Sequence, residues 1–414
     1  MTRLGLRANL AQFSLLVAIN AFVGAMVGLE RSTLPLIGDT DFGLASSTAV
    51  LSFIVAFGLA KALTNLGAGA IAARFGRRRL LVLGWAFALP VPLLIVVAPT
   101  WTWVVAANVL LGINQGLAWS MTVVMKIDLV GPRRRGLALG LNESAGYGGV
   151  ALAAVVSGWL ASEFAARDVV VLAGAVIAVT GLILSALFVR DTAAHVALEQ
   201  QLGEHDSAEP APSLREVFPA ASYRRPALRS CSQAGLVNNL NDALAWGLVP
   251  LFLASEGASP GQVGLVAGLY PAVWGLGQIW AGHWSDRLGR KPLITGGMLL
   301  QAGALVLLAA SGGSVGLAAC AAVALGAGTA LVYPTLIAAI SDAVSPVTRA
   351  ATVGVYRFWR DMGYVAGGLI AGLAADAVGF SGAIALVAAL TAASGVFVVI
   401  DMPAGRRPQV AVAA

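Results

Sequence analysis

The chain of 414 residues is 58% hydrophobic and only 11% charged, with a mean hydropathy of +0.83. A water-soluble globular domain carries roughly a quarter of charged residues, so the composition excludes a soluble protein and indicates a polytopic membrane protein. The net charge of +6 does not indicate a nucleic-acid partner, because the arginines cluster in short breaks between apolar runs, as orientation signals do.

Few residues in the sequence suit a metal or a reacting centre. Cys231 and Cys320 lie in apolar stretches without CxxC spacing, so neither a disulfide framework nor a zinc site is indicated. His195 and His205 belong to a flexible polar segment, which favours solvated side chains over metal ligands. The sequence contains no nucleotide-binding glycine loop and no clustered nucleophile pattern. We therefore expect no cofactor, no metal, no ATP coupling and no enzymatic activity.

Twelve apolar stretches are each long enough to cross a bilayer, which takes about 20 residues. The first has no small-residue cleavage site at its end, which predicts a spanning helix rather than a removed signal peptide. The sequence thus predicts an all-α polytopic membrane protein with twelve transmembrane helices. The predicted spans are 10–36, 46–72, 79–98, 101–125, 137–161, 169–189, 228–254, 262–284, 292–311, 315–340, 350–374 and 379–400.

Lysine and arginine residues concentrate in alternate connections between these spans. Arg167 is the clear exception. By the positive-inside rule, both termini and the central connection face the cytoplasm, and we expect a multi-pass protein of the cytoplasmic (inner) membrane. The basic connections are 73–79, 126–136, 190–226, 285–291 and 341–349.

The chain consists of two similar halves, which a shift of about 214 residues superimposes. Arg77 then falls on Arg290, and Asp128 falls on Asp342. Internal repeats of this kind are typical of secondary transporters, whose substrate site lies between two bundles. The predicted parts are an N-terminal six-helix bundle at 1–189, a cytoplasmic linker at 190–226, a C-terminal six-helix bundle at 227–402 and a cytoplasmic tail at 403–414.

The connection at 282–292 reads GHWSDRLGRKP, and a weaker copy at 69–79 reads GAIAARFGRRR, with Ala73 where Asp286 stands. Glycine lets two helices approach closely, and the Asp can accept hydrogen bonds from a helix N-terminus or from an Arg. The connection resembles the signature loop of the major facilitator superfamily, which lies between the second and third helices and again between the eighth and ninth.

This resemblance covers almost the whole chain and implies the fold of that family, two pseudo-symmetric six-helix bundles. The chain departs from the family pattern at Asn108, where an Arg is common, and at Ala153 and Ala154, where proton antiporters have a Gly-Pro pair. The family pattern therefore does not by itself indicate drug and proton antiport. The gating residues that the resemblance implies are Gly69, Arg74, Gly76, Arg77, Gly282, Asp286, Arg287, Gly289, Arg290 and Lys291.

Ionisable side chains within the predicted spans are the best functional signal. Each costs at least ~2.5 kcal/mol near the bilayer centre, so those present usually face a cavity or a partner. Lys61 and Asp242 lie at mid-span depth, where only a cavity gives access to water. The candidates for substrate binding and proton coupling are Glu30, Arg31, Lys61, Asn65, Asn114, Gln115, Glu143, Asn238, Asn239, Asp242, Arg357, Arg360 and Asp361.

Several candidates also have a structural interpretation. Glu30 and Arg31 can reach the outer interface by snorkelling. Arg357 and Asp361 have the spacing of a structural ion pair on one helix. Asn238, like its polar neighbours, can hydrogen-bond an adjacent helix. These alternatives stay open at the level of the sequence.

The embedded charges have both signs. Lys61 and Arg360 favour an anionic or zwitterionic solute, whereas Asp242 and Glu143 suit a cation or a coupling proton. We predict a secondary active transporter that moves a small organic solute by alternating access, with proton-coupled export as the first expectation. The alternatives are a proton-coupled symporter or uniporter for uptake, and a non-transporting membrane sensor. The expected partners are the solute, protons and the lipid bilayer, and we expect a monomer.

Overall fold

The computed structural model describes residues 3–131, 135–202, 213–344 and 346–403. His205 and nearly all of the predicted tail at 403–414 lie outside these ranges. Within them, the side chains of some helical residues are also not described. For the signature loops these include the side-chain positions of Gly69, Ala73, Arg74, Gly282 and Asp286.

The regular structure of the described residues is helical throughout. The first half contains α1 (Leu10–Thr40), α2 (Ser47–Phe75), α3 (Arg77–Ala88, continued by Pro90–Val96), α4 (Trp101–Val130), α5 (Arg135–Glu163) and α6 (Ala166–Phe188). The second half contains α7 (Pro226–Ala243, Leu244–Leu248 and Val249–Ser255), α8 (Pro260–Leu288), α9 (Arg290–Ala309), α10 (Val315–Ala343) and the segment Pro346–Asp401, which forms α11 and α12.

Gly379 divides the last segment, because its φ of 77° and ψ of 172° are not helical. Helix α11 is therefore 346–378 and α12 is 380–401. Among the described residues, nine helical segments are long and apolar enough to cross a membrane. Counting the last as two helices, and adding α7 and α8, gives the twelve spans predicted from the sequence.

Gly76 and Gly289 form the turns that precede α3 and α9. Their φ angles are 86° and 91°, in the left-handed region that glycine adopts without steric cost. Because the two turns occupy equivalent places in the halves, the repeat seen in the sequence extends to the backbone conformation.

Equivalent ion pairs accompany these turns. The Nε atom of Arg77, at the start of α3, lies 2.7 Å from Oδ2 of Asp128 near the end of α4. The Nε atom of Arg290, at the start of α9, lies 2.9 Å from Oδ2 of Asp342 near the end of α10. These are the residue pairs that the internal repeat superimposes, so the two six-helix halves are pseudo-symmetric.

The polar segment between the halves includes two short helices, Ala193–Leu202 and Leu214–Pro219. The first lies near the chain start, where His195 contacts the Asn9 side chain at 3.2 Å. The second packs on α11, and the indole of Trp359 donates to Ser222 Oγ at 2.7 Å. We call this end of the molecule the linker face and the other end the opposite face.

The halves pack through two helix pairs, α2 with α11 and α5 with α8. Glycines permit the close approach near the opposite face. A Cβ atom on Gly372 of α11 would lie 2.7 Å from the Thr48 Cα of α2, and one on Gly158 of α5 would lie 2.6 Å from the Gly264 Cα of α8. The halves are therefore closed against each other on the opposite face.

Candidate functional site

A charge cluster joins the halves near the middle of the bundle. Asp361 Oδ1 on α11 lies 3.7 Å from Lys61 Nζ on α2 and 3.6 Å from Arg360 Nη1. Asn65, one turn after Lys61, donates to Asp361 Oδ2 at 2.6 Å. We call these four residues the central cluster, and it brings together candidates that the sequence placed 296 positions apart in the chain.

Aromatic rings surround the Lys61 ammonium. Its Nζ lies 5.4 Å from the ring centroid of Tyr364, 5.6 Å from that of Phe57 and 5.8 Å from that of Trp119. Rings at these distances attract a cation through their quadrupole. They also limit the access of water, and Lys61 is only 8% exposed.

Arg360 links the cluster to other helices of both halves. Its Nη2 donates to the Tyr147 hydroxyl of α5 at 2.9 Å. The guanidinium lies 4.4 Å from the Tyr333 ring centroid and 5.8 Å from that of Trp274. Tyr147 and Trp274 also have ring centroids 3.6 Å apart, so the two halves are in aromatic contact beside the guanidinium.

The carboxylate of Glu143 accepts hydrogen bonds only from neutral groups in the described part of the chain. Trp119 Nε1 donates to Oε1 at 3.0 Å, and Asn142 Nδ2 donates to the same oxygen at 3.1 Å. The hydroxyl of Tyr333, from the other half, donates to Oε2 at 3.3 Å.

Asp242 of α7 has a similar environment and is fully buried. Both of its described hydrogen bonds come from tyrosine hydroxyls, those of Tyr270 and of Tyr364, the latter at 3.4 Å from Oδ2. Among the described residues, neither Asp242 nor Glu143 forms an ion pair. A buried carboxylate without a cationic partner is costly as an anion, so these two acids suit the binding of a proton or of a cationic group.

Asn114 and Gln115 lie outside the central cluster. Asn114 Nδ2 donates to the Gly84 carbonyl at 3.0 Å, and Gln115 Nε2 donates to the Val23 carbonyl at 2.8 Å. These bonds tie α4 to α3 and α1 within the first half, so the two side chains contribute to packing of one bundle.

Asn238 belongs to a polar network inside the second half. Gln301 Nε2 donates to its Oδ1 at 3.0 Å, and Asn241 Nδ2 donates to Gln301 Oε1 at 2.8 Å. The structural interpretation therefore applies to Asn238. Asn239 is fully buried, and neither atom of its amide has a hydrogen-bond partner among the described residues.

Glu30 and Arg31 are each 1% exposed, so they do not reach the interface by snorkelling. The Arg31 guanidinium lies 5.0 Å from the Phe53 ring centroid and 4.4 Å from that of Phe57. Within the described residues, no charged atom of either side chain has a hydrogen-bond partner. The pair is separated from the central cluster by Phe57, which contacts both cations.

The structural interpretation of Arg357 and Asp361 as an ion pair on one helix does not hold among the described residues. Asp361 pairs with Lys61 and Arg360 instead, because its side chain points towards α2 in the other half. Arg357 is half-buried.

In the second signature loop, Arg287 is exposed. Lys291 Nζ donates to the Met402 carbonyl at 2.6 Å, and Arg290 contacts the Ser285 hydroxyl besides its ion pair. The described contacts of this loop therefore lie within the second half. The role of Asp286 in gating stays a prediction.

The first signature loop lacks an acid, but one reaches it from elsewhere in the chain. Asp191, just after α6, accepts a hydrogen bond from the Arg78 backbone N–H at 3.1 Å. Arg78 belongs to the first turn of α3, where free N–H groups and the helix dipole favour a carboxylate. Asp191 is thus an acceptor for a helix N-terminus beside a loop in which Ala73 cannot be one.

Sequence reasoning missed Tyr147, Tyr333 and Ser120 as site residues. The two tyrosines contact Arg360 and Glu143, and Ser120 Oγ donates to Asn65 Oδ1 at 2.8 Å. Only Tyr147 had a local signal, since it lies one turn after Glu143. Uncharged side chains at ordinary span positions give no indication of the helix that they will face.

The twelve helices form two similar halves with buried charges between them, an arrangement that is typical of secondary transporters. The chain belongs to the Major Facilitator Superfamily, whose family model matches residues 9–229 and 232–414.

Among curated proteins, the chain is similar to a probable 4-methylmuconolactone transporter of Cupriavidus pinatubonensis, with 28% identity over 240 residues. The matched segment is 56% of this chain and 53% of the relative, so the match spans about half the length of each protein.

Solved structures with the same fold include transporters of other branches. Two structures of a POT family transporter, one in complex with a thioalcohol-conjugated peptide and one with 5-aminolevulinic acid, each have a TM-score of 0.75 and 13% identity, covering 94% of this chain and 95% of that chain. A bacterial homologue of the human lysosomal transporter Spinster, inward-facing and unoccupied, has a TM-score of 0.69, 17% identity and 95% coverage of both chains. At these identities the likeness shows the fold alone.

Proposed function

We propose that the protein moves a small organic carboxylate together with a proton, by alternating access between its two halves. The observation that carries the proposal is the contact of Asp361 with both Lys61 and Arg360. It places two buried cations and one titratable anion at the boundary where the halves meet.

A solute carboxylate can replace Asp361 beside the two cations. If Asp361 lost its contact with Lys61 and Arg360 and no other anion took its place, both cations would remain buried and unpaired, which is strongly unfavourable. Protonation of Asp361 together with binding of one carboxylate keeps the net charge of the central cluster constant. Solute and proton therefore bind best together.

Asp242 and Glu143 are the further proton sites of this proposal. Each is buried and hydrogen-bonded by neutral donors from other helices, and Glu143 receives one of them from the opposite half. A change in the distance between the halves alters these hydrogen bonds and hence the relative free energies of the protonated and ionised forms. Of these two acids, Asp242 is the main coupling residue, because it lies nearer the middle of its helix than Glu143 does.

The rings beside the cluster favour a solute with an apolar or planar body. Tyr333 and Trp274 flank Arg360, while Trp119 flanks Lys61. The relative from Cupriavidus pinatubonensis, named for transport of a small organic lactone, supports a solute of that size. A non-transporting sensor is disfavoured, since it has no need of buried charges between mobile halves.

The α2–α11 and α5–α8 contacts close the opposite face, which supports solute entry from the linker face. The arginine distribution of the sequence supports the linker face as the cytoplasmic one. On that orientation the closed face is the outer one, and the proposal places the protein in the inner membrane with both termini in the cytoplasm.

Joint binding of proton and anion couples their movement in one direction, so an inward proton gradient drives uptake. Export, the first expectation from the sequence, requires that proton and solute compete for the same acid. Export is therefore the second candidate function, for a cationic solute. It is favoured because neither Asp242 nor Glu143 has a cationic partner among the described residues.

Transport in liposomes distinguishes these functions. Thermal stabilisation of the purified protein by a library of small acids and amines identifies a solute. For a carboxylate we expect accumulation when the exterior is acidic. Asp242→Asn should abolish this accumulation and leave exchange without a gradient measurable, whereas Glu163→Gln, which alters an exposed carboxylate, should not change either rate.

Accumulation that does not depend on the pH gradient would exclude proton coupling. Accumulation driven only by an acidic interior, with an amine as the solute, would establish antiport and exclude the joint binding of proton and carboxylate.

A further inference from the structure

A carboxylate connects the halves on the opposite face. Asp376, near the end of α11, accepts three hydrogen bonds from the start of α2 in the other half. The donors are Ser46 Oγ at 2.7 Å, the Ser47 N–H at 2.6 Å and the Thr48 N–H at 3.1 Å.

This contact uses the N-terminus of α2 as its partner. The first N–H groups of a helix have no acceptor within the helix and carry the positive end of its dipole, so a carboxylate there is stabilised. Ser46 also caps its own helix by accepting from the Ala49 N–H at 3.2 Å. Ser46 thus satisfies one N–H group at the start of α2, and Asp376 of the other half satisfies two more, those of Ser47 and Thr48.

The close approach of α11 to α2 holds Asp376 in position. Gly372, one turn before it, leaves no room for a Cβ atom against Thr48. If the halves separated on this face, Gly372 would move away from Thr48, and all three hydrogen bonds would be lost together.

Among the described contacts of the second helix pair, no carboxylate of α5 caps the start of α8. The repeat places Ser162 of α5 where Asp376 stands in α11. Ser162 donates to the Gly158 carbonyl of its own helix at 3.2 Å. The start of α8 is capped from within its own half by Ser259 and Gln262. The capping contact between halves is therefore a property of the α2–α11 pair.

We propose that Asp376 is a latch that holds the opposite face closed and must release before the site can open to that face. The proposal rests on the alternating access of the proposed function but not on its solute or its proton. Because Asp376 is exposed to solvent, water competes for the same hydrogen bonds. Its loss is therefore expected to change the ratio of open to closed molecules by about tenfold.

The test measures the distance between spin labels at Thr100 and Ala310, exposed residues of the two halves on the opposite face. Without solute or gradient, Asp376→Ala should raise the population of the longer distance about tenfold. Ser162→Ala, its matched control in the other helix pair, should leave the distribution as in the unsubstituted protein. Ser46→Ala, which removes one of the three bonds, should give a smaller shift in the same direction.

An unchanged distribution in Asp376→Ala, or an equal shift in Ser162→Ala, would overturn the latch. If Asp376→Ala does not fold, Ser46→Ala decides, and no shift in that variant counts against the proposal. If Asp376→Ala shifts the distances but the unsubstituted protein transports no carboxylate, the latch is supported and the proposed function is rejected.

Discussion

Lys61 carries a buried positive charge in the middle of α2, and its surroundings explain how the fold accommodates it. Asp361 supplies the counter-charge from the other half, and the rings of Phe57 and Tyr364 face the ammonium. The charge is therefore stabilised only while the halves lie close together at this depth. A residue stabilised in that way responds to the conformational cycle as well as to a bound solute.

Replacing Lys61 tests its part in solute binding. Lys61→Met keeps the length of the side chain and removes its charge, so affinity for a carboxylate should fall about tenfold or more, as expected for loss of one charge-assisted contact. Isothermal titration of the purified protein measures this. Arg78→Met, which removes an exposed charge at the linker face, is the control. Unchanged affinity in Lys61→Met would restrict Lys61 to a structural role.

Their depth in the spans indicated Lys61 and Asp242, and Lys61 contacts the other half through Asp361, whereas the described hydrogen bonds of Asp242 come from its own half. A role of either residue in transport stays a prediction. Depth could not separate them from Asn114, which is equally buried but binds a carbonyl of its own bundle. The difference depends on which face of a helix meets the other half. That is a property of the packed bundles, and the period of an almost uniformly apolar helix does not reveal it.

At the scale of elements, helix boundaries followed the sequence closely, and the interruptions had local causes. Pro250 has no N–H to donate to the carbonyl four residues before it, and the π-helical turn Leu244–Leu248 precedes it. The sequence indicates that α7 breaks near Pro250. It does not indicate the π-helical turn, which begins two residues after Asp242.

Small residues set the contact between α5 and α8. Gly158→Ala would place a methyl group 2.6 Å from the Gly264 Cα, which forces the helices apart. We expect a lower midpoint of thermal unfolding in detergent, equivalent to about 1 to 3 kcal/mol of overpacking. Gly148→Ala, in the same helix with open space at its Cβ position, should keep or raise the midpoint. Equal midpoints in the two variants would contradict the close packing.

At the scale of the whole molecule, the two helix pairs differ in the position of one acidic residue. The two positions compared are the signature loop on the linker face and the helix end on the opposite face. The α2–α11 pair has Asp376 on the opposite face, and its signature loop has Ala73 in place of an acid. The α5–α8 pair has Ser162 on the opposite face, and its signature loop contains Asp286. The pseudo-symmetric fold thus contains an asymmetric set of contacts, and the sequence alone showed only the linker-face part of that asymmetry. The rest depends on which helix ends meet across the halves.

The orientation of the molecule decides which compartment the latch faces. Basic residues lie in the connections of the linker face, so that face is expected in the cytoplasm. In a variant with Cys231 and Cys320 replaced by serine, a cysteine at Ser207 or at Ala411 should be protected from impermeant thiol reagents in intact cells. A cysteine at Thr100, on the opposite face, should react. The reverse pattern would place the linker face outside, and this conformation, closed on the opposite face, would then take up its solute from the exterior rather than from the cytoplasm.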